Sequence, residues 1–454
     1  MAPEPVSSAG CRHLAVTFVN NAGSTLVKLC PLEHLARVAR VGVGFSPVAD
    51  AFAIDGTIDP LHPLARPDGD LRLVADAGAL LPLDASAGLA WAPGDRRLRD
   101  GSPYPGDQRS FCRRSLAAAA ADGLAFTAGF EIEWVVGRAE PTGGWGPAVA
   151  GGPYGADRLI DGLDYLDALG TALSAAGLPW LQLHPEYGEG QFELSLAPAD
   201  PLTAADRLVA ARLLIQRVTA RFGWALSFSP LLDTDRVGNG GHLHISASRN
   251  GRPLLEGGPG PGGLPPEGEA LVAGLLDQLP ALLPLACPLA VSYGRLTPGR
   301  WSAPFQAWGV ENREAAVRLI PAGPDGGAGQ LELKVADLAA NPYLLTGAVV
   351  AALADGLARP RPLPAPVVGD PGSSSASSSS AGSSNAAACP RLAGDLAAAS
   401  GAFAASSLLR NAMGEPLHRA VVASQEAEVR RAGRLSGDSL VAATRWWPSR
   451  DPRF

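Results

Sequence analysis

The chain has 454 residues, 46% of them hydrophobic and 18% charged, which is enough apolar material for a large core and excludes global disorder. A net charge of −7 with no dense Lys/Arg block excludes a nucleic-acid footprint. The five cysteines (Cys11, Cys30, Cys112, Cys287, Cys389) are scattered and lack CxxC spacing, so a disulfide framework or a structural zinc site is not expected and a reducing, cytoplasmic setting is the default.

Residues 1–12 read as a loose tail without a basic-then-apolar targeting pattern. From His13 to about Asp100 the chain reads as a small mixed domain. Strands are predicted over Leu14–Val19 and Thr25–Cys30, joined as a hairpin by the Asn20–Gly23 turn. A helix can start between Pro31 and Arg40, residues 42–70 read as a punctuated loop, and Leu71–Ala75 as a strand. Residues 101–107 form a linker. A larger domain then opens with an Ala-rich helix from Gln108. Further helices are predicted over Asp157–Ala176, with Leu159, Leu163, Leu166, Ala168 and Leu173 facing the core, and over Asp200–Phe222. Residues 256–268 read as a Gly/Pro-rich loop. The apolar stretch Leu271–Val291, broken by Pro280, Pro284 and Pro288, predicts a buried helix followed by irregular structure and no membrane span. Asn341 caps a long helix that runs to Leu357. Residues 372–388 are Ser/Ala/Gly-rich and read as a flexible insertion, after which helical segments resume from Leu392 to Arg431.

Four short pieces carry the chemistry. Glu131-Ile132-Glu133, Gln191-Phe192-Glu193, His242-Leu243-His244 and Glu332-Leu333-Lys334 each place two polar groups two residues apart. On a strand such pairs share one face. Like charges grouped on a face repel, so cations are expected there. Carboxylates with imidazole and no thiolate suit Mg²⁺ or Mn²⁺, and such ions commonly meet a phosphate substrate.

With their neighbours these pieces resemble the glutamine synthetase superfamily over roughly His13 to Arg431. The motifs, in the family's order, are Gly129-Phe-Glu131-Ile-Glu133, His184-Pro-Glu186 through Gln191-Phe-Glu193, Gly238-Asn-Gly-Gly-His242-Leu-His244-Ile-Ser246, Arg295-Leu-Thr-Pro-Gly, Glu311-Asn-Arg313 through Arg318, and Glu332-Leu-Lys334 followed by Asn341-Pro-Tyr343. The resemblance implies an α+β fold. An N-terminal β-grasp domain would span residues 13–104 and a catalytic domain with a curved antiparallel sheet and flanking helices residues 105–454. It implies two or more divalent ions per site. Glu133, Glu186 and Glu193 would hold one, and Glu131, His242 and Glu332 the ion on the ATP phosphates. His244 and Ser246 would contact ATP. Arg313 and Arg318 would neutralise the transferring phosphoryl group and, with Glu332, form the catalytic set. Gly238, Arg295, Trp301, Arg313 and Lys334 would bind the substrates. The implied reaction activates the γ-carboxylate of glutamate as an acyl phosphate, which an amine then attacks.

Departures from the family pattern fall on the ammonium side. The family's lysine-proline becomes Ser229-Pro230, an asparagine that binds glutamate falls on Val237, the closing-flap glutamate falls on Trp301, and an arginine is replaced by Lys334. An aromatic side chain can pack on an alkyl amine or hold its cation. The words HPEYG, WGVENREAAVR and LELKVAD resemble the branch that makes γ-glutamylpolyamines and γ-glutamylethanolamide. A polyamine or small alkyl amine is therefore the expected acceptor, with ammonium use or a catalytically silent homologue as rivals. The resemblance further implies hexameric rings stacked as a dodecamer. A latch, Gly44–Phe52, would then bring Asp50 towards a neighbour's amine. No counterpart of the regulatory adenylylation tyrosine is found, and no control of that type is expected.

Overall fold

The computed structural model describes residues 10–140, 144–324, 326–372, 389–435 and 437–448. Most of the loose tail and all but Gly372 of the Ser-rich insertion lie outside them.

The first sheet is built from β1 (His13–Val19), β2 (Thr25–Pro31), β3 (Val43–Phe45), β4 (Leu71–Ala75), β5 (Leu81–Asp84) and β6 (Leu89–Arg97). Its order is β2-β1-β6-β4-β3, with β5 on β6, and β1 runs parallel to β6. A hairpin at one edge with the first and last strands parallel in the middle is the β-grasp arrangement. The hairpin turn has a local cause: Asn20 Oδ1 accepts the N–H groups of Ala22 (3.1 Å) and Ser24 (3.0 Å). The predicted loop over residues 42–70 is partly structured, since it contains β3 and a 3₁₀ helix over Pro47–Ala51.

The second sheet has ten strands: β7 (Leu124–Ala139), β8 (Trp145–Pro147), β9 (Trp180–Pro185), β10 (Gln191–Leu196), β11 (Ala225–Ser227), β12 (Leu243–Arg249), β13 (Arg252–Pro253), β14 (Trp308–Val310), β15 (Val317–Ile320) and β16 (Gln330–Leu333). The path is β14-β15-β16-β12-β7-β10-β9. It is antiparallel except where β14 meets β15. Phe130, Ile132 and Trp134 of β7 join Phe192, Leu194, Leu243, Ile245, Leu331 and Leu333 in the main core. Helices Gln108–Ala121, Pro201–Arg221, Pro266–Ala286 and Pro342–Ala358 supply its other side. The polar partners of that alternation face the opposite side of the sheet, so period-two patterning both seals the core and loads the cleft.

Two helices differ from expectation. The helix predicted over Asp157–Ala176 is two, Ala156–Asp161 and Leu163–Ala175, divided at Gly162. Leu159 and Leu163 are exposed rather than core. The apolar helix starts at Pro266, inside the predicted loop, and passes through both Pro280 and Pro284. Pro280 cannot donate to the carbonyl of Leu276; Gln306 Nε2 takes that carbonyl instead, at 2.8 Å. This is one helix long and apolar enough to cross a membrane, and 78% of its apolar window is buried inside the protein. It packs on Pro342–Ala358 through glycine: a Cβ on Gly274 would lie 2.5 Å from Gly356 Cα. Asn341 caps that second helix as predicted, accepting from Tyr343 and Leu344.

Candidate active site

Register lines the polar groups up across the sheet. Arg318 of β15 stands opposite Glu332 of β16, and Glu332 opposite His244 of β12. One row over, Glu133 of β7 faces Glu193 of β10, which faces His184 of β9. The resulting face carries cations at one end, carboxylates and imidazoles in the middle, and His184 at the far end.

Oxygen and nitrogen atoms of Glu131, His244 and Glu332 converge within 4.8 Å of one another, a geometry able to hold a metal ion. His242 stands at the centre of the cleft. Its Nδ1 lies 2.9 Å from Glu131 and 3.3 Å from Glu332, and its Nε2 lies 3.8 Å from Glu133. His244 Nε2 is 3.3 Å from Glu131. Both imidazoles therefore lie beside Glu131, whereas the family resemblance grouped only His242 with Glu131 and Glu332 around one ion and gave His244 to ATP. Gly240 makes this approach feasible: a Cβ there would lie 2.3 Å from His242 Nε2 and 2.9 Å from Glu133 Oε1.

The electrostatics split the site in two. Burial pushes Glu133 up to about 7, and the neighbouring Glu193 and Glu186 add to the rise against the pull of His242. Glu186 is also raised, by burial and then by Glu193. Burial would raise Glu131 and Glu332 too. It is outweighed at Glu131 by hydrogen bonds from His242 and His244, and at Glu332 by Lys334 and the two imidazoles, so both are held below the usual carboxylate range. Lys334 Nζ lies 3.6 Å and Arg318 Nη1 3.1 Å from Glu332. Among the described residues no arginine or lysine lies within ion-pair distance of Glu133, Glu193 or Glu186, so three carboxylates outnumber the imidazoles of His184 and His242 beside them. That excess of negative charge is the condition a hard divalent cation relieves, and the all-oxygen donor set suits Mg²⁺ or Mn²⁺.

Several neighbours of this half were not assigned roles from sequence. His184 Nε2 lies 3.4 Å from Glu193, whose hydrogen bond lifts the imidazole to about 9. Gln191 Nε2 contacts Glu133 Oε2 (3.2 Å), the Gly238 carbonyl (3.0 Å) and Asn239 Oδ1 (2.9 Å). The Gly240 N–H donates to Glu133 at 2.7 Å. Gln191 was legible as the polar partner of Glu193 in its strand; His184 lies within the quoted motif, but its use depends on register.

Other predicted residues lie around this cluster. Arg295 is buried with its stem against Gly238, donates to the carbonyls of Val335 and Ala336, and keeps Nε without a protein partner. Ser246 continues the cleft-facing alternation of β12. Arg313 is not brought to the carboxylates. It is exposed and lines an open cleft of about 710 Å³ with Trp301, because Asn312 pins this turn to the carbonyls of Val367 and Gly369. Asp50 requires a correction. It is 1% exposed, pairs with Arg96 at 2.6 Å and accepts from Gln108 at 3.0 Å within its own chain, so it is not free to reach an amine.

Comparison with known proteins agrees with this geometry. The family description "Glutamine synthetase, catalytic domain" matches residues 105–438. Gamma-glutamylpolyamine synthetase GlnA3 of Streptomyces coelicolor is 42% identical over 445 residues, covering 97% of this chain and 94% of that protein. Glutamate–methylamine ligase of Methyloversatilis universalis is 30% identical over 364 residues, 76% of this chain and 77% of that one. Among solved structures, a glutamine synthase homologue superposes with a TM-score of 0.82 at 29% identity, covering 97% of this chain and 98% of that one. A structure described as a GmaS/ADP complex superposes with a TM-score of 0.80 at 25% identity, covering 94% of this chain and 95% of that one. An acid-lined β cleft with these motifs in this order, on a chain matched for most of its length, is accounted for by common descent: the protein belongs to the glutamine synthetase family.

Proposed function

We propose that the protein is an ATP-dependent glutamate–amine ligase that forms a γ-glutamylamide through γ-glutamyl phosphate, with a polyamine or small alkyl amine as acceptor. The observation that carries the reading is the half-neutralised cleft, in which Glu133, Glu186 and Glu193 have imidazoles but no arginine or lysine, beside Glu131 and Glu332, which are served by imidazoles, Lys334 and Arg318. Glu133, Glu186 and Glu193 would hold one divalent ion, and Glu131, His242 and Glu332 another, with His244 close enough to share it. Bound there, Mg²⁺ or Mn²⁺ neutralises phosphate oxygens and the charge that develops during transfer. Arg318 flanks the same carboxylate and adds a fork suited to phosphate oxygens. Arg313, at the rim, would reach the transferring group only with substrate present. His244 and Ser246 line the strand along which ATP would lie. The free Nε of Arg295, beside Gly238, is a donor for the glutamate carboxylate. Lys334 holds positive charge at the substrate side of Glu332.

The amine preference is supported by the relatives named for polyamine and methylamine ligation, and by Trp301. Trp301 is 54% exposed and lines the open cleft beside Arg313, a position able to meet an alkylammonium by cation–π contact. We further propose an N-terminal β-grasp domain over residues 13–104, a catalytic domain over 105–454, and a homo-oligomer of stacked hexameric rings in the cytoplasm. The cytoplasmic setting is supported by five cysteines that are all free thiols.

The test is phosphate release from ATP with Mg²⁺ and glutamate across ammonium, putrescine, spermidine, spermine and ethanolamine, with product masses. Turnover with an alkyl amine and little with ammonium is the expected result. Turnover best with ammonium would make the protein a glutamine synthetase, and silence with every amine would point to a different acceptor acid or to a non-catalytic homologue.

A further inference from the structure

Between the buried helix Ser292–Arg295 and β14 runs a short loop, Thr297–Ala303, with an unusual backbone. Trp301 (φ 52°) and Ala303 (φ 57°) both occupy the left-handed region although neither is glycine. Such residues persist only where surrounding contacts hold them. The base of the loop is closed by Ser302, whose hydroxyl donates to the Thr297 carbonyl (2.9 Å) and accepts the Thr297 N–H (3.0 Å). Its outer side is tied by Arg300 Nη1, which donates to the carbonyls of Thr234 (3.4 Å) and Arg236 (3.2 Å).

The two strained residues share one further partner. Glu314 Oε1 accepts the Trp301 N–H at 3.1 Å, and Glu314 Oε2 accepts the Ala303 N–H at 3.4 Å. Glu314 is 7% exposed, and among the described residues no arginine, lysine or histidine lies within ion-pair distance of it. A buried carboxylate is costly unless hydrogen bonds satisfy it, and here the donors found are these two backbone amides. Glu314 is itself held, since its N–H donates to Asn312 Oδ1 at 3.0 Å, and Asn312 Nδ2 anchors the Val367 and Gly369 carbonyls. The turn that presents Arg313 to the open cleft therefore also grips the loop that presents the Trp301 ring to it.

We propose that Glu314 is a positioning residue for acceptor-amine specificity: its carboxylate clamps the left-handed backbone at Trp301 and Ala303 and so fixes the indole on the wall of the open cleft that Arg313 also lines. This rests on the glutamate–amine ligase reading. Glu314 touches neither the carboxylate cluster nor the indole ring through its own polar atoms; it acts through the backbone of the loop. Glutamine at 314 would keep one acceptor oxygen of the two, and alanine neither.

The test uses the full-length protein with putrescine as the probe amine. Steady-state kinetics would be measured for amine, ATP and glutamate, and hydrogen exchange at residues 297–303 without substrates. Glu314→Ala is expected to raise the amine KM by about tenfold or more while the ATP and glutamate KM values stay within about twofold. The loop amides should lose protection in the same variant, and Glu314→Gln should fall between it and the native protein. Trp301→Ala, which leaves the clamp in place, should reproduce the KM change with loop protection retained. If Glu314→Ala fails to fold, Glu314→Gln carries the test, and loop protection and amine KM both equal to the native values in that variant overturn the clamp. Unchanged loop protection in Glu314→Ala overturns the clamp. Lost protection with an unchanged amine KM, or an equal change in all three KM values, overturns the specificity role. Native protein that turns over no amine at all overturns the ligase reading instead, and is told apart because the native chain, not the variant, is silent.

Discussion

Glu133, like Glu186, is a carboxylate of the cleft that resists ionising. An ordinary glutamate carboxyl sits at 4.5, and burial with Glu193 and Glu186 nearby takes Glu133 to about 7. Between those values the folded protein keeps a proton that the unfolded chain has lost. The contribution of this group to stability therefore falls as pH rises through that window. A divalent ion favours the carboxylate, so Mg²⁺ binding should release protons near pH 6 and should raise the melting temperature more at pH 8 than at pH 6. Calorimetry in buffers of different ionisation enthalpy reads the protons, and an equal Mg²⁺ effect at both pH values would contradict the assignment. Glu133→Ala should cut phosphate release by at least about 100-fold, as expected for loss of a group that holds the metal site together. The convergence of Glu131, Glu133, His242 and Glu332 on one face of the sheet was legible in the sequence as spacing by two. His184 and Glu314 were not assigned, because their partners, Glu193 and the Trp301 loop, are set by cross-strand register and by loop backbone. Asp50 was misplaced because an approximate loop alignment carries no information on the buried Arg96 that captures it.

At the scale of elements, the Pro266–Ala286 helix shows how a sequence break becomes a continuous structure. Pro280 removes one helical hydrogen bond, and reading it as a stop is sound from local propensity alone. The helix continues because Gln306, 26 positions on from Pro280 in the numbering, supplies the missing donor to Leu276. Gln306→Leu should leave that buried carbonyl unsatisfied and destabilise the protein by about 1–3 kcal/mol, read as a lower urea midpoint at unchanged slope. A midpoint equal to the native one would mean the carbonyl finds another donor. The same helix lies behind the cleft sheet, so a local loosening there would also reach the segment that follows the Trp301 loop. The strands with strict alternation, β7, β10 and β12, were visible as such. Strands β5 and β6 were not, because Pro and Asp within them, and Gly in β6, obscure the period while tertiary pairing of β6 with β1 and of β5 with β6 decides their state.

For the whole molecule, the unfinished features are two of the sheet edges, β2 and β9. Among the described residues β2 pairs only with β1, and it shows Val27 and Leu29 to solvent, the latter 62% exposed. On the other sheet β9 pairs with β10 and shows Leu181 at 63%. Open strands carrying exposed apolar side chains invite pairing with another chain, and stable proteins cover them. In the proposed assembly a second copy would cover such edges, and the small N-terminal sheet of one subunit would lie towards the cleft of the next. Purified protein should then have a mass that is a multiple of the 46.5 kDa chain. Its specific activity should fall on dilution, because a site completed by two chains depends on protomer concentration. Leu29→Lys places a charge on the β2 edge, where a lone subunit tolerates it and an interface does not. It should shift the mass towards a single chain and lower turnover in parallel, with the circular dichroism of the fold retained. A chain that is monomeric by light scattering and fully active would instead mean that one subunit closes its own cleft, leaving the Trp301 loop as the element that must do so.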